Sequence, residues 1–151
     1  MIIKSIYKEY NLEYIKMCDQ LFINFLLSEK KYDFNIKILD NYESFKKDIL
    51  DKNAFINVMV EEGKVIAFIY LCIVESRKQE DKIGKICFVY VEEKYRSKGV
   101  ATKLVESSID LFRKQGISII EVKSFVENKE ANSLYKKFNF KPLWQSYRKL
   151  I

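Results

Sequence analysis

The seven residues Arg96-Ser97-Lys98-Gly99-Val100-Ala101-Thr102 carry the densest chemical signal in the chain. Two full cations and a glycine stand directly before a stretch whose apolar residues recur at helical spacing. At about 100° per residue, Val100, Leu104, Val105, Leu111 and Phe112 fall within an arc of roughly 140°. The spacing predicts an amphipathic helix that stops at Gln115-Gly116. The first four N–H groups of a helix lack intrahelical partners, and the macrodipole places about half a positive charge there. Gly99 lets a ligand approach the backbone without a Cβ in the way, and Thr102 adds a hydroxyl in the first turn. These features together make a cradle for phosphate. They also describe a basic surface turn whose glycine serves geometry alone.

Upstream, Ile86-Cys87-Phe88-Val89-Tyr90-Val91 is a run of β-branched and aromatic residues suited to a buried strand. Strand, basic turn and helix therefore follow one another. Two common phosphate loops are excluded, because the turn lacks both a Gly-Lys-Ser/Thr ending and three spaced glycines. A second constellation begins some thirty residues on, at Asn128-Lys129-Glu130-Ala131-Asn132-Ser133-Leu134-Tyr135. Asn128 suits a helix N-cap, and Ala131, Leu134, Tyr135 and Phe138 share one helical face. By spacing alone, Tyr135 reads as a core aromatic and Asn128 as a cap.

Both blocks resemble the GNAT superfamily of N-acetyltransferases. Arg96 to Ala101 looks like the signature Arg-x-x-Gly-x-Gly/Ala, preceded by the Val-x-x-x-Tyr of Val91 to Tyr95. Asn128 to Phe140 is similar to the family's Asn-x-x-Ala-x-x-Leu-Tyr-x-Lys-x-Gly-Phe block. The likeness covers roughly residues 54 to 142. It implies an α/β fold of the GNAT acyl-CoA N-acyltransferase type, with a mixed, mostly antiparallel, twisted sheet of about six to seven strands. Helices would cover both faces, and the two central parallel strands would splay apart.

The resemblance implies acetyl-coenzyme A as co-substrate. The loop formed by Arg96, Ser97, Lys98, Gly99, Val100, Ala101 and Thr102 would hold its pyrophosphate. The strand edge at Val89, Tyr90 and Val91 would hold the pantetheine arm, with Asn128 and Lys137 as further contacts. Tyr135 takes the position of the general acid, and a phenol with an ordinary pKa of ~10 keeps its proton at neutral pH. The sequence departs from the family at Cys87, where many members carry a glutamate as base. Glu75, Glu92 or a water chain remain open as replacements. Asn139 replaces a glycine, which asparagine can do at a helix end. Glu93 replaces a common proline.

At 151 residues, with 48% hydrophobic and 15% aromatic residues, four glycines and one proline, the chain is sized and composed for one domain with a real core. Disorder is excluded. Residues 1–76 carry 10 Lys/Arg against 12 Asp/Glu and residues 77–151 carry 17 against 9, so the net +6 lies in the second half. An anionic partner fits that half, whether coenzyme A or nucleic acid; a lysine-rich surface also fits. Histidine is absent, which removes imidazole as base or ligand. Cys18, Cys72 and Cys87 lack metal or disulfide spacing and read as reduced core thiols. Without an apolar leader or a span long enough for a bilayer, the expectation is a cytoplasmic, metal-free protein, monomeric or homodimeric.

The remaining elements follow from pattern. A strand is expected at Met1 to Tyr7, and a helix capped by Asn11 running to about Ser28. An irregular connection follows from Lys30 to Asp40, then a helix from Tyr42 to Asp51 burying Phe45, Ile49 and Leu50. A hairpin spans Ala54 to Val74 with Gly63 in its turn. Ile117 to Phe125 is a strand, and Phe140 to Ile151 is expected to add one or two strands around Pro142. Three functions fit: an N-acetyltransferase acting on an amine of unknown identity, a GNAT-fold coenzyme A-binding regulator without turnover, and a basic nucleic-acid-binding module. The last lacks any recognition signature, and the favoured partners are acetyl-coenzyme A and an amine-bearing small molecule or peptide, with no nucleic acid and no membrane.

Overall fold

A computed structural model describes residues 1–6, 12–33, 35–48, 53–76 and 81–151. Its elements run β1 (Ile2–Ile6), α1 (Leu12–Glu29), α2 (Ile38–Asp48), β2 (Ala54–Glu61), β3 (Lys64–Glu75), β4 (Lys82–Val91), α3 (Val100–Lys114), β5 (Ile119–Val122) and α4 (Lys129–Lys137). Among the described residues the strands form one sheet in the order β1-β2-β3-β4-β5. The first three pairings are antiparallel and β4–β5 is parallel. Expected cap residue Asn11 and core residues Ile49 and Leu50 lie outside the described residues.

Each strand and helix follows from its local chemistry. Glu62 and Gly63 both take positive φ, 49° and 76°, which makes the two-residue turn that suits the twist of a β2–β3 hairpin. β3 is buried continuously from Val65 to Leu71, as the central strand of a sheet covered on both faces must be. One face carries α3, which packs Val100, Leu104, Val105, Leu111 and Phe112 onto Ile69, Leu71 and Ile86. α4 adds Leu134 and Phe138 to the edge of that cluster. The other face carries α1 and α2, with Leu21, Phe22, Leu26 and Phe45 against Val58, Phe68 and Tyr70. Asn57, buried on β2, donates to Ser107 Oγ at 3.1 Å and so ties α3 to the sheet.

Three expectations need correction. α2 begins at Ile38 rather than Tyr42, because Ile38, Tyr42 and Phe45 at i, i+4 and i+7 together face the α1 cluster. β5 ends at Val122 rather than Phe125, and residues 123–128 leave the sheet. No strand forms in 140–151, so the described sheet has five strands and not six or seven. Pro142 offers no N–H to a ladder, and the apolar residues there fall at 143, 144, 147, 150 and 151 without strand alternation. That tail runs exposed, with Trp144 80% accessible, and is fastened by Arg148 Nη1 to Asp33 Oδ2 at 2.7 Å.

Close contact between α3 and β4 depends on Gly84. A Cβ built there would lie 2.8 Å from two carbons of the buried Phe112 ring. Gly84→Ala must push α3 off the sheet or rotate Phe112. Overpacking of this kind costs about 1–3 kcal/mol, and urea unfolding should show a loss in that range with an unchanged m-value.

Candidate functional site

β4 and β5 pair only from Ile83–Ile119 to Ile86–Val122. Beyond that point β4 continues five residues to Val91, while β5 has ended. Lys85 and Glu121, directly opposite in the register, form an ion pair at the closed end of this opening. Two local features force the separation. On β4, Leu71 pairs with Ile86 and Tyr70 with Phe88, so Cys87 is an extra, bulged residue. Cys87 and Phe88 consequently both face the α1 side. After β5, Asn132 of α4 donates its side-chain amide to the carbonyls of Phe125 and Val126, at 3.1 and 3.2 Å, and accepts from Ser124 Oγ. That bracket turns the chain out of the sheet.

The open edge of β4 has a definite polarity. Glu92 N–H donates to Ile66 O at 2.9 Å, so its peptide points at β3. Antiparallel ladders alternate, so Val89 and Val91 direct their N–H and C=O groups away from β3, into the opening. Tyr90, between them, faces the α1 side and lines a shallow depression of about 470 Å³ with Asn24, Glu92, Glu93 and Lys94.

The basic turn sits at the mouth of this opening. A short 3₁₀ turn, Glu93–Tyr95, leads to Arg96, whose Nε donates to Val91 O at 3.0 Å and whose guanidinium lies 5.5 Å from the Tyr90 ring centre. Arg96 thus braces the turn against β4. Ser97 and Gly99 both take positive φ, 59° and 76°. Gly99 is the N-cap of α3 and supplies no side-chain cap, so the first amides of Val100, Ala101 and Thr102 keep their donors for another partner. A Cβ at Gly99 would meet nothing within 4 Å. Glycine is needed there for its backbone angle, and the space before the helix is open. Lys98 is exposed, its ammonium 5.4 Å from the Tyr95 ring centre.

Across the opening, α4 places Tyr135. Asn128 Oδ1 accepts from Ala131 N–H at 3.1 Å, a working N-cap. The other end closes in a Schellman motif: Asn139 takes φ 63°, its N–H reaches Lys136 O, and Phe140 N–H reaches Tyr135 O at 3.0 Å. Asparagine therefore does the work of the family's glycine. Phe140 also meets the Tyr135 ring edge-on, with centroids 5.7 Å apart. Tyr135 is 9% exposed, and burial followed by the nearby Glu29 charge pushes its phenol up to about 12. Lys137 is exposed on the last turn of α4.

Among the residues singled out by sequence, Val89, Val91, Arg96, Ser97, Lys98, Gly99, Val100, Ala101 and Thr102 line one continuous edge and turn. Asn128 and Tyr135 stand on the facing helix. Cys87 does not face the cleft as a base would; its Sγ lies 3.3 Å from Cys72 Sγ, between β3 and β4. One residue escaped the sequence reading. Asn132 holds the chain that leaves β5, and its only local signal is an asparagine in a helix interior, where it is a poor helix former.

The Acetyltransferase (GNAT) family matches residues 6–140. The chain belongs to this family. Among curated relatives, it is 32% identical over 65 residues to N-alpha-acetyltransferase 30 of Schizosaccharomyces pombe, 43% of each chain. It is 30% identical over 79 residues, 52% of this chain and 35% of the relative, to an uncharacterized N-acetyltransferase of Methanocaldococcus jannaschii. The chain spans less than half the length of either relative. Solved structures share the GNAT fold across nearly the whole chain. A probable acetyltransferase superimposes with TM-score 0.76 at 20% identity, covering 100% of this chain and 98% of the other. An aminoglycoside acetyltransferase from an uncultured soil metagenomic sample gives 0.73 at 18%, covering 99% and 96%. A ribosomal-protein-alanine N-acetyltransferase of Brucella melitensis biovar Abortus 2308 gives 0.71 at 15%, covering 99% and 98%.

The cap at Asn128 and the opening of the sheet are separable. Asn128→Ala should cost about 1 kcal/mol of stability through the lost cap. Urea unfolding reads that loss, and calorimetry with coenzyme A on the same protein shows whether Asn128 also steadies a ligand. Unchanged affinity leaves it a cap alone.

Proposed function

We propose that this protein is an acetyl-coenzyme A-dependent N-acetyltransferase that moves the acetyl group directly to a primary amine. The open edge of β4, set between an uncapped basic helix start and a buried tyrosine, carries this reading. Peptide groups at Val89 and Val91 suit an amide-bearing arm, which would pair with the stretch of β4 that β5 leaves, where Arg96 already takes the Val91 carbonyl. The Val100, Ala101 and Thr102 amides, with Arg96, Ser97 and Lys98, suit a pyrophosphate. Asn128 and Lys137, at the two ends of α4, are further candidates for contact with the same ligand. Bound there, acetyl-coenzyme A supplies an activated acyl thioester.

The chain's own groups account for the rest. Strand-edge N–H donors aimed into the opening are fixed before any ligand arrives, which is the condition for stabilising a developing oxyanion. Tyr135 holds a proton at Oη. With its phenol up at about 12, it stays protonated throughout the neutral range and is available to a departing thiolate. The names of the relatives and similar structures cover N-alpha, ribosomal-protein-alanine and aminoglycoside acetylation. An amine acceptor is common ground, and its identity is a matter for a screen of amines by free-thiol release. Thiol release with an amine separates this reading from a coenzyme A-binding regulator.

Tyr135→Phe keeps the ring and its contact with Phe140 and removes only the hydroxyl. A fall in kcat of at least ~10²-fold is expected, with acetyl-coenzyme A affinity nearly intact. Steady-state and single-turnover rates should both fall; an unchanged single-turnover rate returns Tyr135 to a packing role. Arg96→Ala removes both a cation and the brace on Val91 O. Coenzyme A affinity should weaken by about 1.5–3 kcal/mol, the worth of a charged hydrogen bond, and lose part of its salt dependence in calorimetry.

A further inference from the structure

Of the three cysteines, only Cys18 is a core thiol. It is fully buried, and burial followed by the Asp19 charge pushes its thiol up to about 12, which suppresses the thiolate that thiol chemistry needs. Cys72 and Cys87 are partly exposed, and they stand together. Their sulfurs are 3.3 Å apart across β3 and β4, although 15 positions separate them in sequence.

The irregularity in the ladder explains the contact. Cys72 is opposite Lys85 and Leu71 opposite Ile86, so Cys87 lies diagonal to Cys72. Both share the face of Tyr70 and Phe88, which α1 covers. Diagonal neighbours in a regular ladder stand about 7–8 Å apart, outside the range that a disulfide spans. Cys87, the bulged residue, is released from that spacing and its Sγ reaches Cys72. In the neighbouring row Tyr70 stacks on Phe88 with centroids 5.8 Å apart, and Phe22 and Phe25 meet Phe88 edge-on at 5.0 and 5.1 Å. That cluster shields one side of the pair. The other side runs toward Glu75 and Lys82, the exposed end of the ladder, and leaves the thiols within reach of a small reagent.

The geometry points to a redox-active dithiol: Cys72 and Cys87 react with a low-molecular-weight disulfide, such as oxidised glutathione, and close to an intramolecular disulfide that staples β3 to β4 at the bulge. The exchange has two steps. One protein thiol, losing its proton, attacks a sulfur of the small disulfide. The S–S bond there breaks, and the other half leaves as a thiolate that takes up a proton. The second protein thiol, losing its proton in turn, attacks the cysteine sulfur of the mixed disulfide and expels the remaining half as a thiol. Two protein thiols are oxidised, and one small disulfide is reduced to two thiols. This chemistry is independent of acetyl transfer. Its consequence is mechanical, because the open edge of β4 begins just past the bulge, at Val89. The closed form ties the start of that edge to β3 covalently, and it restricts the unfolded chain between residues 72 and 87.

The test starts from the fully reduced, unsubstituted chain exposed to oxidised glutathione. Thiols counted after unfolding should fall by two and the mass by two hydrogens, with no glutathionyl group retained. Proteolysis without reductant should yield one linked pair of peptides, carrying Cys72 and Cys87, while Cys18 remains a thiol. The melting temperature should rise by about 5–10 °C and return to its starting value with dithiothreitol. Cys72→Ser and Cys87→Ser, each verified as folded by a thermal melt, should instead keep one glutathionyl group, because the resolving thiol is gone. A lasting adduct on the unsubstituted chain, a disulfide between two chains, a bridge that includes Cys18, or thiols that do not react would overturn the dithiol. An oxidised form that melts no higher than the reduced one would overturn the staple.

Discussion

β4 loses its neighbour halfway along, and the rest of the structure is arranged around that loss. An unpaired strand edge inside a protein leaves peptide groups without partners, a cost of roughly 1–3 kcal/mol for each group left buried and unsatisfied. It persists only where local structure holds it open. Here the bulge at Cys87 shifts the ladder, the Lys85–Glu121 pair closes one end, and Asn132 draws the departing chain away at the other. Arg96 occupies one of the freed carbonyls, at Val91, and so ties the basic turn to the edge it serves. The opening and the helix start beneath it are therefore one mechanical unit.

The two walls of the cleft are held by packing and helix-end chemistry. α1 is fastened by a nest of rings in which Phe22 stacks on Phe45 at 4.1 Å and meets Phe88 edge-on. α4 is only nine residues long, too short to be stable alone. It depends on its Asn128 cap, its Schellman closure through Asn139, and the apolar contacts of Leu134, Tyr135 and Phe138. Tyr135 is consequently buried, which keeps its proton in place. A phenol on an exposed loop would lack that burial.

Much of this was legible one residue at a time. The amphipathic helix after Gly99, the hairpin at Glu62-Gly63, the cap at Asn128 and the stop at Gln115-Gly116 are local events, decided by side-chain periodicity and by which residues tolerate positive φ. The basic turn was legible for the same reason, since its charges, glycine and helix start are contiguous. The family resemblance rests on these two contiguous blocks. Where the expectation failed, a local signal had been extended too far. Residues 123–125 have strand character but are pulled from the sheet by Asn132, and the aromatic tail after Pro142 has apolar residues without the alternation a strand requires.

Only the tertiary structure decided what faces what. Cys87 stands where the family resemblance puts a glutamate base, and the bulge turns it toward α1 and Cys72. Glu92 was an open candidate until its lysine partners were in place. Tyr32 sits more than ninety residues from Phe125 along the chain, and no periodicity or motif links them. They stack because an aromatic cluster sets α1 against Phe88 and so fixes where the chain after α1 runs. Helices and turns are fixed by interactions a few residues apart, which a sequence displays directly. The opening, and the elements that wall it, depend on non-local packing, which it does not.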